Sequence, residues 1–434
     1  MLMQRTTMTR KLSRWLAIAA ALVLLCTSVF ARADTSEIAA LEARVAELEA
    51  LVTQLMNQRS ARTPDATANP APQPMAGSSG YKFGGYMKLD AMFSDYGDGD
   101  VAPGSLGSQF YVPSTIPVDG VTSEGPDIDM QGRETRINFR SDHWLANGGK
   151  FESYLEMDFF TGSDGNERVS NSYSPRLRHA YVSYDKWLLG QTWSTFQDAG
   201  ALAENLDFIG PAEGTTFVRQ AQVRFTKGPW EFAVENPETT ITTFGGENRI
   251  VADDGGIPDF VARYTAGVGN GYVKAAALVR QLDCETDIVD DTETAFGISI
   301  SGKQMFGEDD FRWMATAGKG TGRYLGLNTS DDAVLDSNGN LNAIEQWGGF
   351  VSFRHFWDLE WRSNLTLSYL SNDNDTSLTG MNVTRDVYSA HLNLLYQPVE
   401  TITVGGEIMY AERTLETDAS GDMTRVLLSA KYAF

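Results

Sequence analysis

Period-two alternation of apolar and polar residues most constrains the fold of this 434-residue chain. Residues 424–434 carry Val426, Leu428, Ala430, Tyr432 and Phe434 on one parity. Successive side chains of a strand point to opposite faces, so the pattern predicts a strand with one apolar face and one wetter face. In an outer-membrane barrel the last strand pairs with the first, and a terminal aromatic residue lies at the membrane interface. The alternative is an ordinary strand of a soluble sheet.

The same alternation recurs from residue 81 onward, for example in Phe83–Phe93, Phe151–Phe159 and Leu365–Tyr369. The segments are roughly 9–14 residues long, which suits tilted membrane strands. Short turns alternate with long polar stretches, as they do in transmembrane barrels. We therefore predict an all-β fold, a transmembrane antiparallel β-barrel of about 16 strands over residues 81–434. A large secreted sandwich or propeller is the competing all-β fold.

The amino-terminal residues 1–33 have the pattern of a secretory signal peptide. A basic start precedes the apolar run Trp15–Phe30, and Ala31-Arg32-Ala33 follows as a cleavage site. Removing this segment leaves 30 basic against 57 acidic residues, a net charge of −27, which argues against nucleic acid as a partner. It also leaves Cys284 as the only cysteine, so no internal disulfide is predicted.

Residues 34–59 are predicted to form a short periplasmic coiled-coil helix, and the Pro/Ala-rich residues 60–80 a linker. The β-branched and Leu residues of the heptad favour a dimer, whereas Leu51 and Met56 widen the apolar stripe and favour three or more helices. The alternative is a lone amphipathic helix. The heptad positions are Ile38, Leu41, Val45, Leu48, Val52 and Leu55.

Basic residues recur on the polar parity, which lines the wet interior of a large barrel. Glu152, Glu156 and Asp158 lie on a neighbouring strand, so we expect an arginine ladder that faces a carboxylate ladder and narrows the pore. Because the arginine fork donates two hydrogen bonds to a carboxylate, such a constriction favours small anions. The alternative is that the arginines only pair with these acids across strands. The candidate solute-binding residues are Lys88, Arg133, Arg136, Arg140, Arg176, Arg178, Arg224 and Arg263.

Residues 195–214 mix apolar and acidic side chains, which predicts a loop that folds into the lumen and sets the pore width. An extracellular or subunit-contact loop is the alternative. The four histidines have no metal-ligand spacing, and neither a nucleophile elbow nor a phosphate loop occurs in the sequence. We therefore predict no enzyme activity, no cofactor and no metal site, and interpret the acidic loop clusters as solvated tips. A hydrolase with a hidden His/Ser pair remains an alternative.

Together, the signal peptide, heptad helix, linker and arginine-lined barrel ending in Lys431-Tyr-Ala-Phe434 resemble the DcaP-type porins of Gram-negative bacteria. Three strand segments look like those of that family: Gly132-Arg-Glu-Thr-Arg-Ile-Asn-Phe139, Pro175-Arg-Leu-Arg-His-Ala-Tyr181 and Leu189-Gly-Gln-Thr-Trp-Ser194. The resemblance implies a homotrimer in the outer membrane, in contact with lipid and lipopolysaccharide, that takes up small anionic solutes, dicarboxylates foremost. A general diffusion porin and a mainly structural barrel remain the alternatives.

Overall fold

The computed structural model describes residues 79–102, 104–118, 120, 125–160, 170–246, 248–252, 255–286 and 289–434. The predicted signal peptide, the coiled-coil helix and nearly all of the linker lie outside these residues. The first described strand begins at Ser79. Among the described residues, no helix is long and apolar enough to cross a membrane.

Strands make up most of the described chain. The described helices are the 3-10 helices Leu106–Ser108, Pro113–Thr115, Ala199–Ala201 and Gly326–Asn328 and the α-helix Thr376–Thr379. In chain order the strands are β1 (Ser79–Tyr96), β2 (Asp127–Gln131), β3 (Arg136–Trp144), β4 (Lys150–Asp158), β5 (Arg176–Tyr184), β6 (Trp187–Trp193), β7 (Arg219–Lys227), β8 (Trp230–Glu235), β9 (Thr239–Thr242), β10 (Arg249–Ala252), β11 (Asp259–Val268), β12 (Gly271–Glu285), β13 (Asp290–Phe306), β14 (Asp309–Lys319), β15 (Ala333–Leu335), β16 (Leu341–Ala343), β17 (Glu345–Phe356), β18 (Trp361–Asp373), β19 (Thr384–Val399), β20 (Ile402–Leu415) and β21 (Ser420–Ala433).

All strands except β9, β10, β15 and β16 form one closed antiparallel barrel. Its 16 strands agree with the prediction, because β2 and β3 both pair with β1 and act as one interrupted strand. The barrel closes where β1 pairs with β21, from Tyr86 opposite Ala433 to Tyr96 opposite Met423. Closure removes the two edges that the barrel sheet would otherwise expose to lipid.

The carboxyl terminus completes this closure. Phe434 exchanges two backbone hydrogen bonds of 3.1 Å with Gly85, and its ring stacks on Phe83. Gly85 has a φ of 153°, and a Cβ there would overlap the carbonyl oxygen of Arg136. Only glycine therefore allows β1 to pair with β21 and β3 at this point.

The two faces of the wall follow the sequence parity. In β18, Leu365 and Leu367 are about half exposed to the outside, whereas Asn364 and Thr366 between them are buried inside. An apolar exterior over a polar interior is the pattern of a membrane barrel.

The two ends of the barrel differ in loop length. At the end that holds Phe434, two-residue turns such as Gly228–Pro229 and Gly307–Glu308 join the strands. Gly228 and Gly307 have positive φ, as tight hairpins require. We call this end the turn end and the opposite one the loop end. In outer-membrane barrels, short turns face the periplasm and long loops face the exterior.

A separate four-stranded sheet, the mouth sheet, is formed by β9, β10, β15 and β16 at the loop end. Ile241 and Leu335 of this sheet pack on Leu282 and Ala295, which belong to β12 and β13 of the barrel. The sequence had indicated only long polar loops here. Strands this short, rich in Thr and Asn, carry too weak an alternation to be recognised.

Candidate functional site

The loop between β6 and β7, residues 194–218, folds into the lumen; we call it the inward loop. Asp198 accepts hydrogen bonds from Lys274 Nζ at 2.8 Å and Ser301 Oγ at 3.0 Å. Glu204 accepts hydrogen bonds from Arg354 Nη1 at 2.8 Å and Arg362 Nη2 at 2.7 Å. These partners belong to β12, β13, β17 and β18, so the prediction of a loop folded into the lumen is confirmed.

The second half of the inward loop is held by β1, by β20 and by the loop between β1 and β2. Leu206 N donates to Glu407 Oε2 at 2.7 Å, and Lys88 Nζ donates to the Leu206 carbonyl oxygen at 2.7 Å. Asp207 accepts a 2.9 Å hydrogen bond from Tyr111 N, and burial raises the pKa of its carboxyl above the usual range. The loop therefore lies along the β12–β21 and β1 side of the wall.

The ion pairs of Glu204 offset its burial. Burial raises the pKa of this carboxyl, but hydrogen bonds and charge from Arg362 and Arg354 lower it further, to about 2. Glu204 is therefore ionised at neutral pH and holds the loop against β17 and β18.

Four arginines gather on the opposite side of the lumen: Arg136, Arg176, Arg178 and Arg219, the arginine cluster. Arg176 makes two hydrogen bonds of 2.8 and 2.7 Å to Asp158, which lies opposite it in β4. Arg178 donates at 2.7 Å to both Glu156 and Asp158. Arg136 Nη1 lies 3.9 Å from Glu156.

The inward loop contacts this cluster through two aromatic side chains, Phe208 and Phe217, and the Phe217 ring centroid lies 5.7 Å from the guanidinium carbon of Arg219. The guanidinium carbons of Arg136, Arg176 and Arg178 lie 5.7, 5.7 and 5.4 Å from the ring centroid of Phe208. These distances suit cation–π attraction, which partly offsets the repulsion among the arginines. Phe208 is thus the residue of the inward loop that contacts three of the four arginines of the cluster.

Arg219 was not among the residues selected from the sequence. Its guanidinium carbon lies 4.5 Å from the Trp193 ring centroid, and its Nη1 is buried without a hydrogen-bond partner. Among the described residues it forms no ion pair, although Arg178 and Arg176 act on it electrostatically. The cluster therefore holds four guanidinium groups against the two carboxylates Glu156 and Asp158, a local excess of two positive charges.

The acids lie on a strand that neighbours the arginines, as the sequence indicated, and the cross-strand pairing given as the alternative is observed. Glu156 and Asp158 lie on β4 between β3 and β5 and pair with the arginines of those strands. The reason is the short distance between adjacent strands, which brings opposite charges together before they can reach across a wide lumen.

The other candidate residues take different positions. Lys88 and Arg263 hold the inward loop, since Arg263 donates to Glu231 at 2.7 Å and to the Gln197 carbonyl oxygen at 2.6 Å. Arg224 donates to the Trp193 carbonyl oxygen at 2.6 Å. Arg133 lies over the Tyr173 ring at 3.7 Å, and the exposed Arg140 lies 5.5 Å from the Tyr154 ring centroid.

Several basic residues that fasten the inward loop were also missed. They lie on the inward parity of their strands, so the alternation pattern applied to β12, β14, β17 and β18 would have found them. They are Lys274, Arg312, Arg354 and Arg362.

A serine, a histidine and a carboxylate also meet inside the wall. His391 lies 3.1 Å from Ser389 Oγ and 3.2 Å from Glu407 Oε1. All three are buried, and the Ser389 hydroxyl donates to Glu213 of the inward loop. The group therefore binds the loop to β19 and β20 and presents no nucleophile to a substrate. Within the described part of the chain, no group of three His, Cys, Asp or Glu residues is placed to hold a metal ion.

Comparison with known proteins shows where this architecture recurs. The model of the family described as DcaP outer membrane protein matches residues 55–434. No curated protein matches the sequence. Among solved structures, the outer membrane channel DcaP of Acinetobacter baumannii has a TM-score of 0.69 at 24% identity, covering 83% of this chain and 100% of that one.

Two more distant porins share the fold. An anion-selective porin from Comamonas acidovorans has a TM-score of 0.54 at 11% identity, covering 82% of this chain and 100% of its own. A loop-deletion mutant of OmpT from Vibrio cholerae has a TM-score of 0.51 at 11% identity, covering 82% of this chain and 99% of that one. At these identities the likeness concerns the fold.

Proposed function

This chain belongs to the DcaP outer membrane protein family, and from that premise we propose that it passes small anionic solutes, dicarboxylates foremost, through an arginine-lined constriction. The coarser part of this function follows from the family and the fold: the protein is a porin of the outer membrane. The preference for anions and the residues that produce it are the proposal.

The observation that carries the proposal is the excess of guanidinium groups beside the inward loop. The acids of that loop are hydrogen-bonded to the far wall, as Asp198 and Glu204 are, so they do not neutralise the arginine cluster. Beside Phe208, strands β3–β7 carry four arginines and two carboxylates; Arg178 and Asp158 are buried, and the other three arginines are partly exposed. The net charge of two matches a dicarboxylate, whose carboxylates each suit a guanidinium fork.

A general diffusion porin is the second candidate. It is favoured by the pairing of Arg176 and Arg178 with Asp158, because a paired guanidinium attracts a solute less strongly than a free one. Arg219 separates the two candidates, since it forms no ion pair among the described residues. A mainly structural barrel would conduct neither class of solute.

The experiment compares two solutes of equal length and opposite charge. Liposomes that contain the purified protein swell at a rate set by solute entry, and the probes are succinate and butane-1,4-diamine. We expect faster swelling in succinate than in butane-1,4-diamine. The ratio of the two swelling rates should be lower in a R176Q/R219Q double variant. The control R385Q removes an arginine that lies at the loop end and pairs with Asp386 and Asp418. Equal rates for both probes in the unmodified protein would leave a general porin.

The assembly is proposed to be a homotrimer whose helix at residues 34–59 lies in the periplasm. The support is the heptad with its widened apolar stripe, together with membership of the family. Contact with lipopolysaccharide follows from the outer-membrane location and belongs to the same proposal.

A further inference from the structure

A cavity of about 240 Å³ lies at the loop end, and no residue of the arginine cluster lines it. It occupies the junction between the β9–β10 hairpin and the loop that joins β18 to β19. Gly245 N donates a 2.7 Å hydrogen bond to the Leu378 carbonyl oxygen across this junction. Ser114 and Arg413 add lining from the β1–β2 loop and from β20. The cavity is therefore enclosed by segments that start on different sides of the barrel.

Arg413 gives this cavity its charge. Its Nε donates to Thr384 Oγ1 at 2.9 Å, and its Nη1 donates to the carbonyl oxygens of Ser114 at 2.8 Å and Ile116 at 3.1 Å. All three acceptors are neutral, and within the described residues Arg413 forms no ion pair. A partly buried guanidinium without an anion leaves its charge uncompensated.

The second basic residue of the cavity is Arg249. Its Nε lies 2.5 Å from Asp331 Oδ1, and its Nη2 donates to the Asn328 carbonyl oxygen at 3.0 Å. Arg249, Arg413 and Asp331 line the cavity with a net charge of +1, in a chain whose formal net charge is −22. A local positive site in an acidic protein draws anions from solution.

The size of the cavity and the hydrogen-bonding groups of its lining indicate which class of ligand fits it. The cavity is smaller than the roughly 300–1,000 Å³ pockets of drug-sized ligands, so it suits a small molecule. Its lining is mostly hydroxyl, amide and guanidinium groups, including Asn382 and Ser330. Such groups suit a carboxylate, which accepts hydrogen bonds through both oxygens.

We propose that this cavity is a second binding site, which holds a small carboxylate anion against Arg413 at the loop end before the anion reaches the arginine cluster. This second site rests on the proposed function in one respect, the assumption that the solute is a small anion. The site itself is defined by Arg413, Arg249 and the hairpin contact at Gly245. Occupancy joins the β1–β2 loop to the β9–β10 hairpin through one ligand.

The test measures block of chloride current by succinate added on the loop-end side of the purified full-length protein in a planar bilayer. We expect R413Q to raise the half-blocking succinate concentration about fivefold and R413K to give a smaller increase, because lysine keeps the charge but loses the fork. The control R385Q removes an arginine at the same end that is paired with two carboxylates, and it should leave the concentration unchanged.

Two results overturn the second site: an unchanged half-blocking concentration in R413Q, or equal shifts in R413Q and R385Q, which indicate general surface charge. A measurement on the unmodified protein covers the case in which R413Q does not fold. Block with weak voltage dependence from the loop end supports a site near the mouth, whereas steep and equal block from both ends places the only site at the constriction and overturns the proposal.

A result that rejects the proposed anion preference differs from one that rejects the second site. In that case the unmodified protein prefers cations in a salt gradient, whatever R413Q does to the block. An anion-preferring channel with no R413Q effect rejects only the second site.

Discussion

The arginines inside this barrel differ in what neutralises them. Arg178 is buried and donates to Glu156 and Asp158, so its charge is largely matched. Arg219 stacks on Trp193 and is repelled by Arg178 and Arg176. An ion-paired arginine such as Arg178 stabilises the barrel wall. An arginine that forms no ion pair among the described residues, such as Arg219, contributes an electric field to the lumen.

Replacing Arg219 separates these two roles. We predict that R219Q lowers the ratio of anion to cation permeability about sevenfold, because a unit charge at about 7 Å in water stabilises a univalent anion by about 0.6 kcal/mol and destabilises a cation by the same amount. The thermal transition should stay within a few degrees of the unmodified protein, since no ion pair is broken. Reversal potentials and heat-dependent gel mobility measure the two quantities. A large loss of stability without a change in selectivity contradicts this role.

The substitution D158N acts in the opposite direction on selectivity. It removes the negative charge that pairs with Arg176 and Arg178, so the ratio of anion to cation permeability should rise. Stability should fall by about 1–3 kcal/mol, because hydrogen bonds between charged groups are weakened. Lower anion preference in D158N would show that Arg176 and Arg178 need this carboxylate to face the lumen.

At the scale of elements, the inward loop is held by charges rather than by an apolar core alone. Glu204 forms two of these charged contacts, with Arg362 and Arg354. Because its pKa in the folded protein, about 2, lies below its unfolded value of about 4.3, its stabilisation is fully present above the unfolded value. That stabilisation is lost as the pH falls toward 2.

This gives a prediction about channel noise. Open-channel current should stay steady from pH 7 to about pH 4 and become noisier only as the pH approaches 2. E204Q should show noisy current already at pH 7, since it removes the charge that Arg362 and Arg354 bind. The matched control is E293Q, which breaks an ion pair with Lys319 in which both side chains are about one third exposed. Noise that begins near pH 6 in the unmodified protein would point to a histidine instead.

The elements also show what the sequence could predict. Alternation identified the barrel wall, since Leu365 and Leu367 face outward and Asn364 and Thr366 face inward. Apolar residues such as Phe208 correctly indicated that residues 195–214 fold inward. The partners of the arginines could not be derived, because they depend on strand register, including the irregularity after Glu156. Arg219 was missed because it begins β7 directly after the loop.

For the whole molecule, we expect the assembly to depend in part on residues 34–59, which lie outside the described structure. We predict that a chain starting at Gly77 forms a trimer that dissociates at a lower temperature than the full-length one, because the heptad at residues 34–59 no longer contributes. Gel mobility after stepwise heating measures this. Equal heat resistance of the two trimers would contradict this prediction and would indicate that the helix acts as a spacer.

The distribution of charge decides whether the whole molecule prefers anions or cations. The formal net charge of −22 alone favours cations, whereas we propose that the arginine cluster favours anions. These two expectations have opposite signs, so one measurement separates them.

That measurement is the reversal potential of the purified, unmodified protein in a planar bilayer with a tenfold potassium chloride gradient. We predict a potential with the sign set by chloride. A potential with the sign set by potassium would contradict the proposal that the arginine cluster selects the solutes of this porin.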